Sequence, residues 1–231
     1  MKTLIVIPAR SGSKGLKNKN ILPLNGKPLI FYSIDVAREV FSDEEIFVST
    51  DSEEYATLIK NERGLDIPFL RPEALASDTA STQDVLIHTL AYFENNGKSF
   101  DAVLLLQPTS PFRKKEHLKE ALSIFLENRD CDLVVSVKET DANPYYVLFE
   151  EEDKYLVKSK SSKVTRRQDL PCVYELNGSI YIFNVSSLKT KKSAEFDKII
   201  KYQMTKNYSI DIDDKIDFEF ANFLLTNNTF D

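Results

Sequence analysis

The sequence predicts an α/β fold with a doubly wound, mostly parallel sheet in a single domain. Three observations predict it. Apolar, β-rich runs at 4–8, 46–50, 103–107, 133–137 and 179–183 alternate with helically spaced stretches near 28–41, 52–63, 82–96 and 114–128. Such strand–helix–strand repetition builds a parallel sheet with crossover helices. Several of the runs are apolar without alternation, as strands covered on both faces are. The 231 residues are 42% hydrophobic, enough to bury a real core.

In chain order, Leu4-Ile5-Val6-Ile7-Pro8 reads as a buried first strand. It is too short for a signal h-region and lacks a small-residue cleavage site, so a cytoplasmic protein is expected. Asp51-Ser52-Glu53-Glu54 and Ser81-Thr82-Gln83-Asp84 carry helix-start chemistry for the stretches at 52–63 and 82–96. The pattern breaks after Val137. Residues 139–178 hold no clear helix, and Glu150-Glu151-Glu152-Asp153 gives way to six bases without an acid between 154 and 167. A solvated hairpin is the plain expectation for that stretch, and an excursion toward a partner or a second anion is the sharper one. Asp214 and Asp217 suit the first turn of a last helix, where the dipole favours acids. Ligands of doubly wound sheets bind beyond the carboxyl ends of the strands, so the strand-end loops are the candidate sites.

Composition excludes several classes. No apolar run approaches the roughly 20 residues of a membrane span. Cys131 and Cys172 are too few for a disulfide framework, and with only His88 and His117 a Cys/His zinc site is not expected. The net charge of −6 hides an asymmetry: residues 1–34 hold six bases and no acid, leaving 24 bases against 36 acids elsewhere. With a pI near 5.2 this is not a nucleic-acid face but a local anion site.

Four segments carry chemistry. The first strand runs into Pro8-Ala9-Arg10-Ser11-Gly12-Ser13-Lys14-Gly15, followed by Lys19-Asn20. Glycines let backbone amides approach an anion while Arg10, Lys14 and Lys19 neutralise it, which suits a triphosphate. The spacing is neither a Walker A loop nor a dinucleotide fingerprint. Ser209-Ile210-Asp211-Ile212-Asp213 reads as a strand with both carboxylates on one face. Paired with an anion loop, they suggest Mg²⁺, or Mn²⁺, bridging to phosphate oxygens. Leu106-Gln107-Pro108-Thr109-Ser110-Pro111 ends a buried strand in an amide and two hydroxyls, and Gln107 is able to read a base or a sugar. Arg71-Pro72 and the hydroxyl-rich 77–82 precede a helix whose first amides either meet a ligand or are capped in the ordinary way.

Taken in order, these segments resemble the acylneuraminate cytidylyltransferases, the CMP-sialic acid synthetases. Arg166-Arg167-Gln168-Asp169 and Asn177-Gly178-Ser179-Ile180-Tyr181 extend the resemblance over nearly the whole chain. It implies a Rossmann-like nucleotidyltransferase domain over 1–231, with a small inserted dimerisation arm at about 139–178. It implies transfer of CMP from CTP to a nonulosonic acid with release of pyrophosphate, in a homodimer that engages neither nucleic acid nor membrane. By the same resemblance Arg10, Lys14, Lys19 and Asn20 hold the CTP phosphates and ribose. Arg71 and Ala80, Ser81 and Thr82 border the cytidine pocket, with Thr82 standing where some members have Ser. Gln107 meets the sugar, Arg167 serves the site from the arm, and Asp211 and Asp213 bind the metal. Arg10, Lys19, Arg167 and Asp211 are the implied catalytic residues, and His88 and His117 are bystanders.

The 3-deoxy-manno-octulosonate cytidylyltransferases share the implied fold but lack the Ser-Lys-Gly-x-x-x-Lys-Asn run. Sugar-1-phosphate nucleotidyltransferases open on Gly-x-Gly-x-Arg, which is absent. A non-catalytic nucleotide-binding protein on the same scaffold is disfavoured by the intact Asp211/Asp213 pair and Lys19.

Overall fold

Alternate residues of the first strand, β1 (Thr3–Pro8), enter two different cores. Leu4 and Val6 pack with Phe47, Leu86 and Leu90, while Ile5 and Ile7 pack with Ile30, Phe31 and Ile34. Buried on both faces, the strand has no polar side to show, which is why its sequence is apolar without a break. Each such fully buried aliphatic contributes about 1.5–3 kcal/mol relative to exposure. The computed structural model describes residues 1–227 except Lys14 and Thr165, and for Arg167 it describes the backbone only.

A small ribbon of β2 (Pro23–Leu24) and β3 (Lys27–Pro28) leads into α1 (Leu29–Arg38). Next come β4 (Ile46–Ser49) and α2 (Glu53–Arg63), the latter capped by the Ser52 hydroxyl. After α3 (Glu73–Ala76), α4 (Thr82–Asn95) is capped by Ser81. β5 (Ala102–Leu106), α5 (Lys115–Glu127) and β6 (Leu133–Glu139) complete the regular alternation. β7 (Phe149–Glu152) and β8 (Tyr155–Lys158) then form a separate, exposed antiparallel hairpin. The chain returns through β9 (Tyr174–Asn184), α6 (Val185–Thr190), β10 (Ile199–Gln203) and α7 (Lys215–Thr226). Asp214 and Asp217 close a capping box on α7.

The central sheet has the order β10–β6–β9–β5–β1–β4. β4, β1 and β5 run parallel, as do β10 and β6, while β9 is antiparallel to both of its neighbours. The reversal has a local cause: β6 and β9 are joined by the hairpin excursion, not by a crossover helix, so β9 comes back alongside β6 in the opposite sense. α6 and β10 are too short and too polar in sequence to stand out by periodicity. Among the described residues no helix is long and apolar enough to cross a membrane.

One expected strand is absent. Residues 209–213 form no ladder; Ile212 donates a single backbone bond to the Thr109 carbonyl (2.9 Å). The isoleucine side chain explains the misreading. Ile212 is fully buried with Leu24, Leu29, Phe112 and Ala221, and Ile210 packs partly buried on the same cluster, so the Ile/Asp alternation of the sequence belongs to a loop pinned by its apolar residues.

Candidate active site

The loops after β1 and β5, together with the 71–82 stretch that precedes and opens α4, surround a cleft of about 420 Å³ at the carboxyl ends of these two parallel strands. Arg10, Lys19, Asn20, Arg71, Ala80, Thr82, Gln107 and Asp213 all contribute to its wall. The basic loop is anchored from beneath. Ser11 donates from its amide and hydroxyl to Asp51 (2.9 and 2.7 Å), and Asn20 donates to the Arg10 carbonyl (3.1 Å). Asn20 is buried and shapes the loop that carries Arg10. Lys14 lies outside the described residues.

Arg10 reaches across the cleft to Asp78 (2.8 Å) and the Ala76 carbonyl (3.3 Å). Arg71 is buried and donates to the Ser49 hydroxyl (3.0 Å) and carbonyl (2.6 Å). Burial pulls its pKa down to about 10; Arg10 pushes the same way and Asp51 opposes. Ala80 and Thr82 line the cleft, whereas Ser81 is the cap of α4, accepting from the Asp84 amide (3.1 Å). The ordinary capping role therefore accounts for Ser81.

The basic loop and the carboxylate segment meet directly. Lys19 is only 12% exposed; its Nζ donates to the Ile212 carbonyl (2.6 Å) and lies 3.4 Å from Asp213 Oδ1. Gly15 permits the approach, because a Cβ there would fall 2.4 Å from the Asp213 carbonyl oxygen. Asp213 is 80% exposed, while Asp211 lies deeper. Burial raises the pKa of Asp211 and Asp213 adds to this, whereas Thr109, Lys19 and Arg113 favour the charged form. Asp211 Oδ1 is buried without a hydrogen-bond partner. A buried carboxylate oxygen left unpaired beside a second carboxylate has the donor chemistry of a hard-cation site. Among the described residues no third His, Cys, Asp or Glu joins the pair.

The arm stands apart. Among the described residues none from 139–178 lines the cleft, and Gln168, beside Arg167, borders a separate cavity with Glu139, Thr140 and Asp141 at the foot of the hairpin. The side chain of Arg167 itself lies outside the described residues. His88 packs on Phe69, and His117 accepts from the Lys114 amide (3.1 Å) and packs on Tyr208; burial lowers the pKa of both, and neither lines the cleft. Both cysteines are free thiols. Sequence reasoning missed Asp51 and Asp78 as partners of the basic loop. Asp51 has a local signal, since it stands just beyond the end of β4, but its helix-start context gives it another role.

A family model described as cytidylyltransferase matches residues 4–230. The chain is 41% identical over 221 residues to an N-acylneuraminate cytidylyltransferase of Streptococcus agalactiae serotype V, covering 94% of this chain and 52% of that protein. It thus spans about half the length of the first curated relatives it matches. It is 37% identical over 233 residues to a CMP-N,N'-diacetyllegionaminic acid synthase of Legionella pneumophila, covering 99% and 98% of the two chains. The fold matches that of a CMP:2-keto-3-deoxy-manno-octonic acid synthetase complexed with CTP, with a TM-score of 0.75, 18% identity and coverage of 99% and 100%. The family match over nearly the full chain and the basic loop facing paired carboxylates lead to one assignment: the chain belongs to the cytidylyltransferase family.

Proposed function

We propose that the protein activates a nonulosonic, sialic-type acid with CTP, giving the CMP-sugar and pyrophosphate. The observation that carries this reading is the contact between the β1 loop and the 209–213 segment, where Lys19 and Gly15 hold cationic and anionic groups side by side. That juxtaposition suits a triphosphate and its counter-cation. The relatives' names supply the substrate class.

In this reading the anomeric hydroxyl attacks the α-phosphorus of CTP, its proton passes to one of the two carboxylates or to water, and the Pα–O bond to the β-phosphate breaks so that pyrophosphate leaves from the opposite side. Such transfer depends on in-line placement and charge neutralisation more than on covalent chemistry. Arg10, Lys14 and Lys19 neutralise the triphosphate, and Asn20 keeps the loop in shape. Arg71 and the 80–82 stretch border the cytidine, and Gln107 faces the sugar. Arg167 pairs with the sugar carboxylate through a planar fork that lysine does not offer. Mg²⁺, or Mn²⁺ in its place, would be held by Asp211 and Asp213 and would offset phosphate charge.

The arm supports a homodimer in which Arg167 serves a neighbouring site. Its hairpin exposes Tyr155 and Leu156 at 66% and 71%, an apolar surface that a lone two-stranded ribbon does not sustain in water.

The test is pyrophosphate release from CTP with a panel of sialic, deaminated, legionaminic-type and octulosonic acids. Release dependent on a nine-carbon acid is the expected result. Release with the octulosonic acid alone, or CTP binding without release, would reject the proposal.

A further inference from the structure

Arg113 follows the proline-locked loop after β5 and is only 4% exposed. Nε and Nη2 donate to the Ser110 carbonyl (3.0 and 2.6 Å) and Nη1 to the Ser179 carbonyl (2.9 Å). Nη2 also reaches the Gln107 carbonyl and the Ser33 hydroxyl, the latter at 3.3 Å. Every acceptor it bonds among these is uncharged. Burying a full charge among neutral acceptors is costly, and an apolar side chain of similar volume fills such a space at lower cost. Packing alone therefore does not account for an arginine.

Its acceptors belong to the two walls around Asp211. Gln107 and Ser110 bracket the loop whose Gln107 lines the cleft and whose Thr109 carbonyl holds the Ile212 amide (2.9 Å). Ser179 lies within the irregularity where the β6–β9 register shifts, between Leu176 and Tyr181. There Gly178 adopts φ 71°, and a Cβ on it would fall 2.8 Å from Asp211 Oδ2 and 3.2 Å from Ser110 Oγ. Ser110 Oγ in turn donates to the Asn177 carbonyl (3.3 Å). Asp211 thus sits against a bare backbone on one wall and the 107–110 loop on the other, and one guanidinium ties the walls together. Asp211 is also the carboxylate whose field Arg113 feels.

We propose that Arg113 is a positioning residue: with the Gly178 bulge it locks the 107–110 loop and Asp211 into one arrangement, fixing Gln107 relative to the carboxylate pair. This rests on the cytidylyltransferase reading for its kinetic consequence, but not for its binding consequence. Lysine keeps the charge and loses the planar fork; methionine loses both at similar volume.

The test compares R113K, R113M and G178A with the unaltered protein in three measurements. These are Mn²⁺ affinity by electron paramagnetic resonance, melting temperature, and kcat and KM for CTP. Groups that orient a metal ligand typically change affinity or activity by about 10- to 100-fold, so losses of that size are expected in Mn²⁺ affinity and kcat. KM for CTP should stay within about threefold, because the nucleotide wall is untouched. R113K and R113M variants that melt earlier yet bind Mn²⁺ and turn over normally would overturn the proposal, leaving Arg113 a plain structural staple. If the arginine variants do not fold, G178A tests the same seat from its other wall, and unchanged Mn²⁺ affinity there overturns it. Absence of pyrophosphate release from the unaltered protein sinks the function instead, while the Mn²⁺ comparison still decides the positioning role.

Discussion

Lys19 joins two tasks in one atom. Its Nζ holds the Ile212 carbonyl at 2.6 Å and presents its charge at the cleft beside Asp213. Lys19→Ala removes one part-buried hydrogen bond, a loss of about 1 kcal/mol in stability, and, in the proposed reaction, a charge facing the departing phosphates, a loss of roughly 10²–10³ in turnover. Thermal melting and steady-state kinetics on one preparation separate the two effects. A folded variant with near-normal turnover would reject the phosphate role. Lys19, Asp211 and Gln107 were legible in the sequence because each closes a short local pattern. Arg113 was not, because its acceptors are carbonyls from β9 and the β5 loop that only the fold brings together. Asp78 was hidden for the same reason: its partner Arg10 lies on the opposite wall.

Among the elements, the apolar strands were legible because double burial writes itself as an unbroken hydrophobic run. The helices at 53–63 and 82–95 were legible through Ser52 and Ser81, whose hydroxyls do cap them. The 209–213 segment forms no strand although Ile210 and Ile212 alternate with Asp211 and Asp213, because both isoleucines pin a loop to one apolar cluster. The hairpin is the element whose sequence makes least sense for an isolated chain. Its two strands expose Phe149, Tyr155 and Leu156 next to a basic run. Leu156→Asp places a charge in this apolar surface, and the proposed dimer should then dissociate while far-ultraviolet circular dichroism stays unchanged. Analytical ultracentrifugation at micromolar concentration reads the outcome. A variant that sediments as the unaltered protein does would exclude the hairpin as the contact.

Across the whole molecule, the net charge of −6 separates by position. The acid-free first 34 residues supply the loop over the cleft, the acidic remainder supplies Asp211 and Asp213, and a second basic run lies on the arm. The basic loop and the carboxylate segment meet at the carboxyl end of β1, and that convergence is what the proposed site for a triphosphate and a cation rests on. In the proposed reaction a sugar hydroxyl displaces pyrophosphate at the α-phosphorus. This displacement is tested most directly by labelling the anomeric oxygen of the nonulosonic acid with ¹⁸O and following the ³¹P resonance of the product. Retention of the label in the bridge between sugar and CMP, with unlabelled pyrophosphate released, is the expected result. Label found in pyrophosphate, or a CMP product carrying only solvent oxygen, would contradict it.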